Sequence, residues 1–274
     1  MAKGVFVESA KRLGNTDCFL LDCDGTTYLS ERAYPGALEF VQTLKALGRR
    51  YLWVSNNTSR DAEGYAQKLQ RLGFGASAED VYTSGRSAID YMLARKPRPR
   101  IFALAMPAYE AELVRAGCVL TSRDGDPEAL DWVLASVDLA FDYGKLRRAC
   151  DLVAAGVPLL ATHADRVWLT AEGILPDCGA ILAFIREATG AEAKVVGKPY
   201  PEMVRGALTK AGVAAERAAM IGDRLYTDIR MAKDAGMLAI LTLTGETTRA
   251  DLQDSALQPD LVVNDLAELA AMVR

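Results

Sequence analysis

Short apolar runs alternate with amphipathic stretches along the chain, and this alternation is the feature that most restricts its fold. Strands of a parallel sheet are covered on both faces, so they read as brief, continuous apolar segments joined by helices. The pattern therefore predicts an α/β protein built on a parallel sheet. The predicted strands are residues 18–22, 50–55, 101–105, 139–141, 159–161, 193–196, 218–221, 238–243 and 261–263.

Proline and glycine residues mark the ends of two predicted helices and the limits of an insertion. One helix begins near Pro35 and ends at Gly48, and its apolar face consists of Leu38, Val41, Leu44 and Leu47. A second helix is predicted over residues 202–211. The segment KPRP at 96–99 breaks regular structure and lies in the first part of an inserted domain. The chain is expected to return from that domain near residues 176–179.

Two carboxylates, Asp22 and Asp24, stand at the end of the first apolar run. Side chains two residues apart share one face of a strand, and at the carboxyl end of a parallel strand that face opens on the ligand-binding crevice. Adjacent carboxylates are costly unless one takes a proton or a cation binds both. A hard cation such as Mg²⁺ or a role as general acid would each explain the pair. A capping Asp followed by a turn Asp before Gly25 is the alternative.

Polar residues also follow other predicted strands. Ser55 ends the strand at 50–55 and Asn56 follows it, where they would bind phosphate oxygens or cap the next helix. Lys198 lies in the segment GKP and is either a point charge for a phosphate or an ordinary surface lysine. Asp223 follows Gly222 after another strand, at the same sheet edge as the first carboxylates, and Asp228 begins the next helix, where it would serve as an N-cap. Together these side chains would hold Mg²⁺ and a phosphoryl group.

With these motifs in this order, the sequence resembles the haloacid dehalogenase (HAD) superfamily of phosphohydrolases. The details are closest to the branch with a large α/β cap, which includes NagD, 4-nitrophenylphosphatases and the phosphatases of pyridoxal phosphate and phosphoglycolate. The matching segments are DCDGT at 22–26, SNNTS at 55–59, GKP at 197–199 and GDRLYTDI at 222–229. The resemblance covers nearly the whole chain. It implies a Rossmann-like, parallel-sheet HAD core over residues 1–84 and 184–274, with an inserted α/β cap domain over residues 85–183.

The resemblance also implies a role for each motif. Asp22 would be the nucleophile that forms an aspartyl phosphate, and Asp24 would be the general acid and then the general base. Mg²⁺ would be held by the carboxylate of Asp22, the main-chain carbonyl of Asp24 and the carboxylate of Asp223, while Asp228 would support these ligands or reach the metal through water. The phosphoryl oxygens would be held by Ser55, Asn56 and Lys198.

The cap of such an enzyme excludes water and selects the leaving group. Relatives often carry Thr-Asn-x-Asp after a cap strand, and here His163 replaces the Asn. The candidate specificity residues are His163, Asp165, Arg166 and Trp168. An ordinary polar surface role is the alternative for His163. Cys23, between the two aspartates, would be open to oxidation if exposed, but a thiol packed in the strand is the expectation.

Composition restricts the partners. The chain has 274 residues and a formal net charge of −4, so neither nucleic acid nor an anionic membrane is an expected partner. No apolar run is long enough for a membrane span, and five scattered cysteines indicate reduced thiols, which predicts a cytoplasmic protein. The expected partner is a small phosphorylated metabolite, and a homodimer through the cap is a further expectation from related enzymes.

The implied activity is Mg²⁺-dependent hydrolysis of a small phosphomonoester, with 4-nitrophenyl phosphate as a generic substrate. A sugar phosphate, a nucleotide, phosphoglycolate and pyridoxal phosphate all stay open as natural substrates. A haloacid dehalogenase would lack the acid at Asp24. A phosphomutase or phosphotransferase shares both aspartates, although mutases more often have a smaller, helical cap. A non-catalytic phospholigand-binding regulator would not need complete motifs, and a phosphoacceptor switch domain would be a much shorter chain.

Overall fold

The computed structural model describes residues 3–123 and 129–274, which form two compact units. The first unit contains the described residues up to Ser55, together with Tyr65–Tyr82 and Met203–Arg274. The second contains Asn56–Gly64 and the described part of Thr83–Glu202. Of the helices that are described, none combines the length and hydrophobicity that a membrane span requires.

Helices and strands alternate through most of the described chain, as in an α/β fold. The helices are α1 (Lys3–Gly14), α2 (Ala37–Ala46), α3 (Ala62–Arg71), α4 (Ser84–Leu93), α5 (Pro107–Arg115), α6 (Tyr143–Ala154), α7 (Cys178–Thr189), α8 (Pro201–Ala211), α9 (Arg230–Ala235), α10 (Arg249–Asp254) and α11 (Leu266–Val273). Short 3₁₀ turns cover Ala78–Asp80 and Ala215–Arg217, and a π-helical turn covers Leu225–Ile229.

The strands fall into two main sheets and two hairpins. They are β1 (Cys18–Leu21), β2 (Tyr28–Leu29), β3 (Arg32–Ala33), β4 (Arg50–Ser55), β5 (Val81–Thr83), β6 (Arg100–Leu104), β7 (Val119–Leu120), β8 (Trp132–Ala135), β9 (Leu159–Ala161), β10 (Val167–Thr170), β11 (Gly173–Pro176), β12 (Lys194–Val195), β13 (Ala218–Gly222), β14 (Leu238–Thr242) and β15 (Leu261–Val263). Strands β2 and β3 form one antiparallel hairpin, and β10 and β11 form the other.

The six-stranded sheet of the first unit has the order β15-β14-β13-β1-β4-β5. Strand β1 lies between β13 and β4 and runs parallel to both. Its last residue, Leu21, is opposite Ile221 on one side and Trp53 on the other. Because the three strands end at the same level, the residues that follow β1 and β13 are brought to one edge of the sheet, together with the end of β4.

The five-stranded sheet of the second unit has the order β12-β9-β8-β6-β7, and all its pairs are parallel. Successive residues of β6 belong to two different hydrophobic clusters: Phe102 packs in one and Ile101 and Ala103 in the other. Strand β6 is therefore covered on both faces, as a parallel sheet requires.

The parallel α/β fold predicted from the sequence is confirmed. Strands 50–55, 159–161 and 261–263 have the predicted bounds, and helix α8 covers the predicted residues 202–211. The predicted strand at 139–141 is wrong, because the strand in that region is β8, at Trp132–Ala135. Leu139 and Phe141 are exposed, and Asp142 then caps α6 by accepting a hydrogen bond from the Lys145 main-chain nitrogen. The apolar run therefore continues beyond the residues that pair with neighbouring strands.

Helix α2 is shorter than predicted and presents a slightly different face. It ends at Ala46, so Leu47 lies beyond it and is exposed. Phe40, Val41 and Leu44 are buried. Helical spacing correctly predicted that Val41 and Leu44 are buried, but it extended the apolar face to Leu47, beyond the end of the helix.

The chain also leaves the second unit later than expected. Helix α7 begins at Cys178, and its residues Ile181 and Ile185 pack into a core cluster of the second unit. The chain enters the first unit again only at Met203, rather than near residues 176–179. The predicted division of roles between a catalytic core and a specificity cap stays a prediction.

Candidate active site

Three buried carboxylates lie together at the edge of the six-stranded sheet. Asp22 follows β1, and its main-chain nitrogen donates to the carbonyl of Ile221 at 2.9 Å. Asp223 follows β13, and Asp228 belongs to the π-helical turn. One carboxylate oxygen of each aspartate lies within 4.8 Å of the corresponding oxygens of the other two. Three negative charges this close are unfavourable in a buried site without a proton or a cation.

Hydrogen bonds help to hold these carboxylates in place. The Thr26 hydroxyl lies 3.3 Å from Asp22 Oδ2 and 3.1 Å from Asp223 Oδ1, but its single hydrogen serves only one acceptor at a time. The main-chain nitrogen of Glu246 donates to Asp223 Oδ2 at 2.7 Å. Burial, and then the charges of Asp22 and Asp228, raise the pKa of Asp223 well above its ordinary value.

Gly25 makes room for this arrangement. Its backbone has a φ of +90°, and a Cβ at this position would lie 2.5 Å from Asp223 Oδ2. Any residue with a side chain would therefore be strained in its backbone and would displace the carboxylate. The glycine that follows the two aspartates of the first motif is thus required by the close approach of Asp223.

The donor set fits a hard divalent cation. All three side chains offer carboxylate oxygens, which Mg²⁺ and Ca²⁺ prefer. A cation would oppose the repulsion from Asp22 and Asp228, which adds to the effect of burial in raising the pKa of Asp223. Asp228 belongs to the same group, because one of its carboxylate oxygens also lies within 4.8 Å of those of Asp22 and Asp223. Its Oδ2 also accepts from the Arg224 main-chain nitrogen at 3.2 Å. The sequence placed Asp228 at a helix start, whereas the structure places it in a π-helical turn, a conformation often found at functional sites.

Asp24 has a cationic neighbour that sequence reasoning missed. Lys68 Nζ lies 3.9 Å from Asp24 Oδ1, and the Lys68 side chain is only 6% exposed. The same ammonium lies 3.9 Å from the centre of the Tyr28 ring. A lysine on the buried face of an amphipathic helix, beside Tyr65 and Leu69 of α3, was the available signal.

Ser55 and Cys23 are both buried in the first unit. Ser55 is the last residue of β4, and its hydroxyl lies 3.4 Å from the Tyr65 hydroxyl. Cys23 has no exposed surface, as expected, but it lies beyond the end of β1 rather than in the strand. Its burial closes this thiol to solvent oxidants.

Asn56 and Lys198 are joined directly within the second unit. The Lys198 main-chain nitrogen donates to Asn56 Oδ1 at 2.8 Å, and Asn56 Nδ2 donates to the Lys198 carbonyl at 3.2 Å. Asn56 Nδ2 also donates to Asp165 Oδ1 at 3.0 Å. These two donations equal the number of hydrogens on the amide, so the Asn56 side chain is occupied inside the second unit. Phosphate binding by Asn56 stays a prediction.

Comparison with known proteins identifies the family. Residues 19–119 match the family model of haloacid dehalogenase-like hydrolases, and residues 195–269 match a second, HAD-hydrolase-like model. The chain is 37% identical to rat (Rattus norvegicus) chronophin over 270 residues, which cover 94% of this chain and 87% of chronophin. The chain belongs to the haloacid dehalogenase-like hydrolases. Within this family it is a phosphatase, because the relatives that match it over most of its length include named phosphatases.

Solved structures of HAD phosphatases share the fold. The structure of 4-nitrophenylphosphatase from Thermotoga maritima matches with a TM-score of 0.90 and 40% identity, covering 96% of this chain and 99% of that one. A glycerol phosphate phosphatase from Mycobacterium tuberculosis, solved in complex with magnesium, matches with a TM-score of 0.86 and 32% identity. That match covers 94% of this chain and 78% of the mycobacterial one.

The four candidate specificity residues of this HAD phosphatase differ in exposure. His163 is completely buried, with Nδ1 2.8 Å from the Thr162 hydroxyl and Nε2 2.9 Å from Asp177 Oδ1. The structure therefore gives His163 an internal position, in which its ring joins Thr162 to Asp177, and its role in specificity stays a prediction. Asp165 is also buried, whereas Arg166 is exposed and Trp168 is half-buried. Of the four, Arg166 and Trp168 keep the surface that a specificity residue needs.

Proposed function

We propose that this HAD phosphatase hydrolyses a small phosphomonoester, with Mg²⁺ as its cofactor and Asp22 as its nucleophile. The cluster of Asp22, Asp223 and Asp228 is the observation that carries the proposal, because three buried carboxylates need a cation. The mycobacterial glycerol phosphate phosphatase in complex with magnesium supports the choice of metal. The names of the two structural relatives support aryl and polyol phosphates as the first substrates to test.

The metal would be held by Asp22, Asp223 and the main-chain carbonyl of Asp24, with Asp228 beside them. When bound, Mg²⁺ offsets the repulsion between the carboxylates and the phosphate dianion. The protein supplies the nucleophile, the proton-transfer group and the residues that hold the phosphoryl oxygens. Ser55 and Lys198 bind these oxygens and stabilise the negative charge that moves between them.

The reaction has two steps. In the first, an Asp22 oxygen forms a bond to phosphorus, the bond from phosphorus to the leaving oxygen breaks, and Asp24 gives that oxygen its proton. In the second, Asp24 takes a proton from a water molecule, whose oxygen attacks the phosphorus of the aspartyl phosphate. Inorganic phosphate leaves, and the Asp22 carboxylate and the protonated Asp24 are regenerated.

The proposal extends to the location of the protein and to its assembly. We propose a cytoplasmic protein that acts on a metabolite and binds neither nucleic acid nor membrane. Two copies would associate through the cap over residues 85–183, where Leu139, Phe141 and Tyr143 are exposed. The molar mass in solution tests this point: the mass of a monomer at micromolar concentration would contradict it.

Phosphate release from a panel of phosphomonoesters tests the proposed function. Activity should require Mg²⁺, disappear with a chelator, and fall by about 10³-fold or more in Asp22→Asn, because the amide cannot form the phosphoenzyme. Asp17→Asn is the matched control: Asp17 precedes the same strand but pairs at the surface with Arg217, so activity should be unchanged. Release from no substrate, or equal release by Asp22→Asn and the wild type, would overturn the proposal.

A further inference from the structure

We propose that Asp165 is a positioning residue, which fixes the peptide of Lys198 through the side-chain amide of Asn56. This inference rests on the proposed role of Lys198 in holding the phosphoryl group. It departs from the expectation that Asp165 reads the leaving group. Three hydrogen bonds carry it: from Asn56 Nδ2 to Asp165 Oδ1, from Asn56 Nδ2 to the Lys198 carbonyl, and from the Lys198 nitrogen to Asn56 Oδ1.

The chemistry of the groups gives the amide a single orientation. A carboxylate only accepts, so Asp165 requires the NH₂ end of the Asn56 amide on its side. That orientation leaves the amide oxygen facing the Lys198 N–H, which only donates. If the amide were rotated by half a turn, its oxygen would face the Asp165 oxygen and its NH₂ would face the Lys198 N–H. Asp165 therefore supports the same orientation that the main-chain N–H and carbonyl of Lys198 require, in which the amide bonds both of these groups.

Burial makes the loss of any of these hydrogen bonds costly. Asn56 is 4% exposed, Asp165 is 7% exposed and Lys198 is 4% exposed. Water has little access to replace a missing partner, and an unsatisfied buried polar group destabilises the arrangement that contains it. Asp165 lies 109 positions from Asn56 in the sequence, and Lys198 lies 142 positions from it. The connection between the three residues is therefore tertiary rather than local.

Further contacts hold the same segment. The Ser87 hydroxyl donates to the Val196 carbonyl at 2.8 Å, and the Ser84 hydroxyl donates to the Asn56 carbonyl. A Cβ at Gly197 would lie 2.7 Å from Asn56 Oδ1 and 2.3 Å from the Thr162 carbonyl. Only glycine lets the chain pass this close to the amide. Hydrogen bonds and close contacts thus fix the segment 196–198 from several sides within the second unit. Asp165 contributes the carboxylate that bonds the Asn56 amide.

The neighbours of Asp165 separate positioning from substrate recognition. Ala164 and Arg166 are exposed, whereas Asp165 between them is buried. Its carboxylate is directed at the Asn56 amide, which in turn bonds the main chain of Lys198. Asp165 should therefore act on the phosphoryl end that all substrates share, and its loss should affect every substrate alike.

The test compares Asp165→Ala with Asp165→Asn, which keeps an acceptor oxygen for the Asn56 amide. Both are assayed with 4-nitrophenyl phosphate, with glycerol phosphate and with inorganic phosphate as competitive inhibitor. Asp165→Ala should lose about 10- to 100-fold in kcat/KM on both substrates, because a small displacement of a binding group has effects of this size. Inhibition by phosphate should weaken in parallel. Asp165→Asn should stay within about threefold of the wild type, since it restores the hydrogen bond.

Two further variants distinguish a failure of the proposed role of Lys198 from a failure of the proposed role of Asp165. Lys198→Ala should lose about 10²-fold, and if it does not, the proposed role of Lys198 fails rather than that of Asp165. Glu172→Ala removes an exposed carboxylate from the same unit and should leave activity unchanged. A specificity role for Asp165 would instead change the ratio of the two substrates and leave phosphate inhibition intact. That result, or full activity of Asp165→Ala alongside a disabled Lys198→Ala, would overturn the inference.

Discussion

The two units place charge in opposite ways. In the first unit, Asp22, Asp223 and Asp228 bring three buried carboxylates together, and burial with the two neighbouring charges raises the pKa of Asp223. In the second unit, Asn56, Asp165 and the Lys198 peptide match each donor with an acceptor. The first arrangement offers a donor set that fits an added cation, whereas the second joins its polar groups to one another within the chain. Substitutions should therefore have different consequences in the two places.

Asp223→Asn should produce the largest effect, because it removes one of the three like charges. Activity should fall by about 10²-fold or more, and the rise in Tm on adding Mg²⁺ should largely vanish, since metal binding stabilises only the state that binds it. In chelator, however, the variant should be at least as stable as the wild type, because it has lost a buried like charge. Thermal melting with and without Mg²⁺ measures both effects.

A matched control for this experiment is Asp234→Asn, which removes an exposed carboxylate from α9 in the same unit. It should melt like the wild type in both conditions. If Asp223→Asn lost several degrees in chelator, the three carboxylates would not be repelling one another, and the contrast between the units would fail.

Lys68→Met tests the cation that the structure places beside the acidic residues of the first motif. Its ammonium lies close to both Asp24 and the Tyr28 ring. We expect a loss of about tenfold in kcat, because Asp24 loses its positively charged neighbour. The loss should be greater for glycerol phosphate than for 4-nitrophenyl phosphate, whose leaving oxygen needs less help from a general acid. Steady-state kinetics on the two substrates checks this difference.

Lys68→Arg and Lys45→Met complete that experiment. Arginine keeps the charge and should recover most of the activity. Lys45 also lies over an aromatic ring, that of Tyr51, and donates to the Phe74 carbonyl, but it is exposed and these two partners lie outside the first motif. Its substitution should leave the kinetics unchanged. An equal loss on both substrates in Lys68→Met would indicate a general disturbance of the fold instead.

These residues also show how far sequence reasoning extends. Asp22, Asp24, Ser55 and Asp223 each follow an apolar strand, so strand order alone brought them to one sheet edge. Lys68 was missed because helical periodicity predicts which face of a helix is buried. It does not predict which residue a charged side chain on that face will contact. The bond between Asn56 and Asp165 spans 109 positions, and no local pattern predicts such a pair. Exposure is equally non-local: His163 looked like a surface residue and is completely enclosed.

The second unit also contains a carboxyl group whose charged form is unfavourable, that of Glu112, and it can be compared with the aspartate cluster of the first unit. Burial and the neighbouring Asp61 raise the pKa of Glu112 to about 7, although Arg86 and Arg115 oppose the shift. Among the described residues, its buried Oε2 has no hydrogen-bond partner. Because the pKa is higher in the folded state than in the unfolded chain, the fold favours protonated Glu112. Its stabilising contribution is full below about pH 4.5 and is lost as the pH rises through about 7.

Glu112→Gln should therefore raise the Tm by about 2–5 °C at pH 8 and change it little at pH 5. The neutral amide keeps the shape of the side chain without the cost of a buried charge. Glu187→Gln, an exposed substitution on α7 of the same unit, should have no effect at either pH. Thermal melts of both variants across this range measure the difference. An equal gain at both values would mean that packing, rather than charge, limits stability at this position. The second unit would then contain no counterpart to the carboxylate cluster of the first.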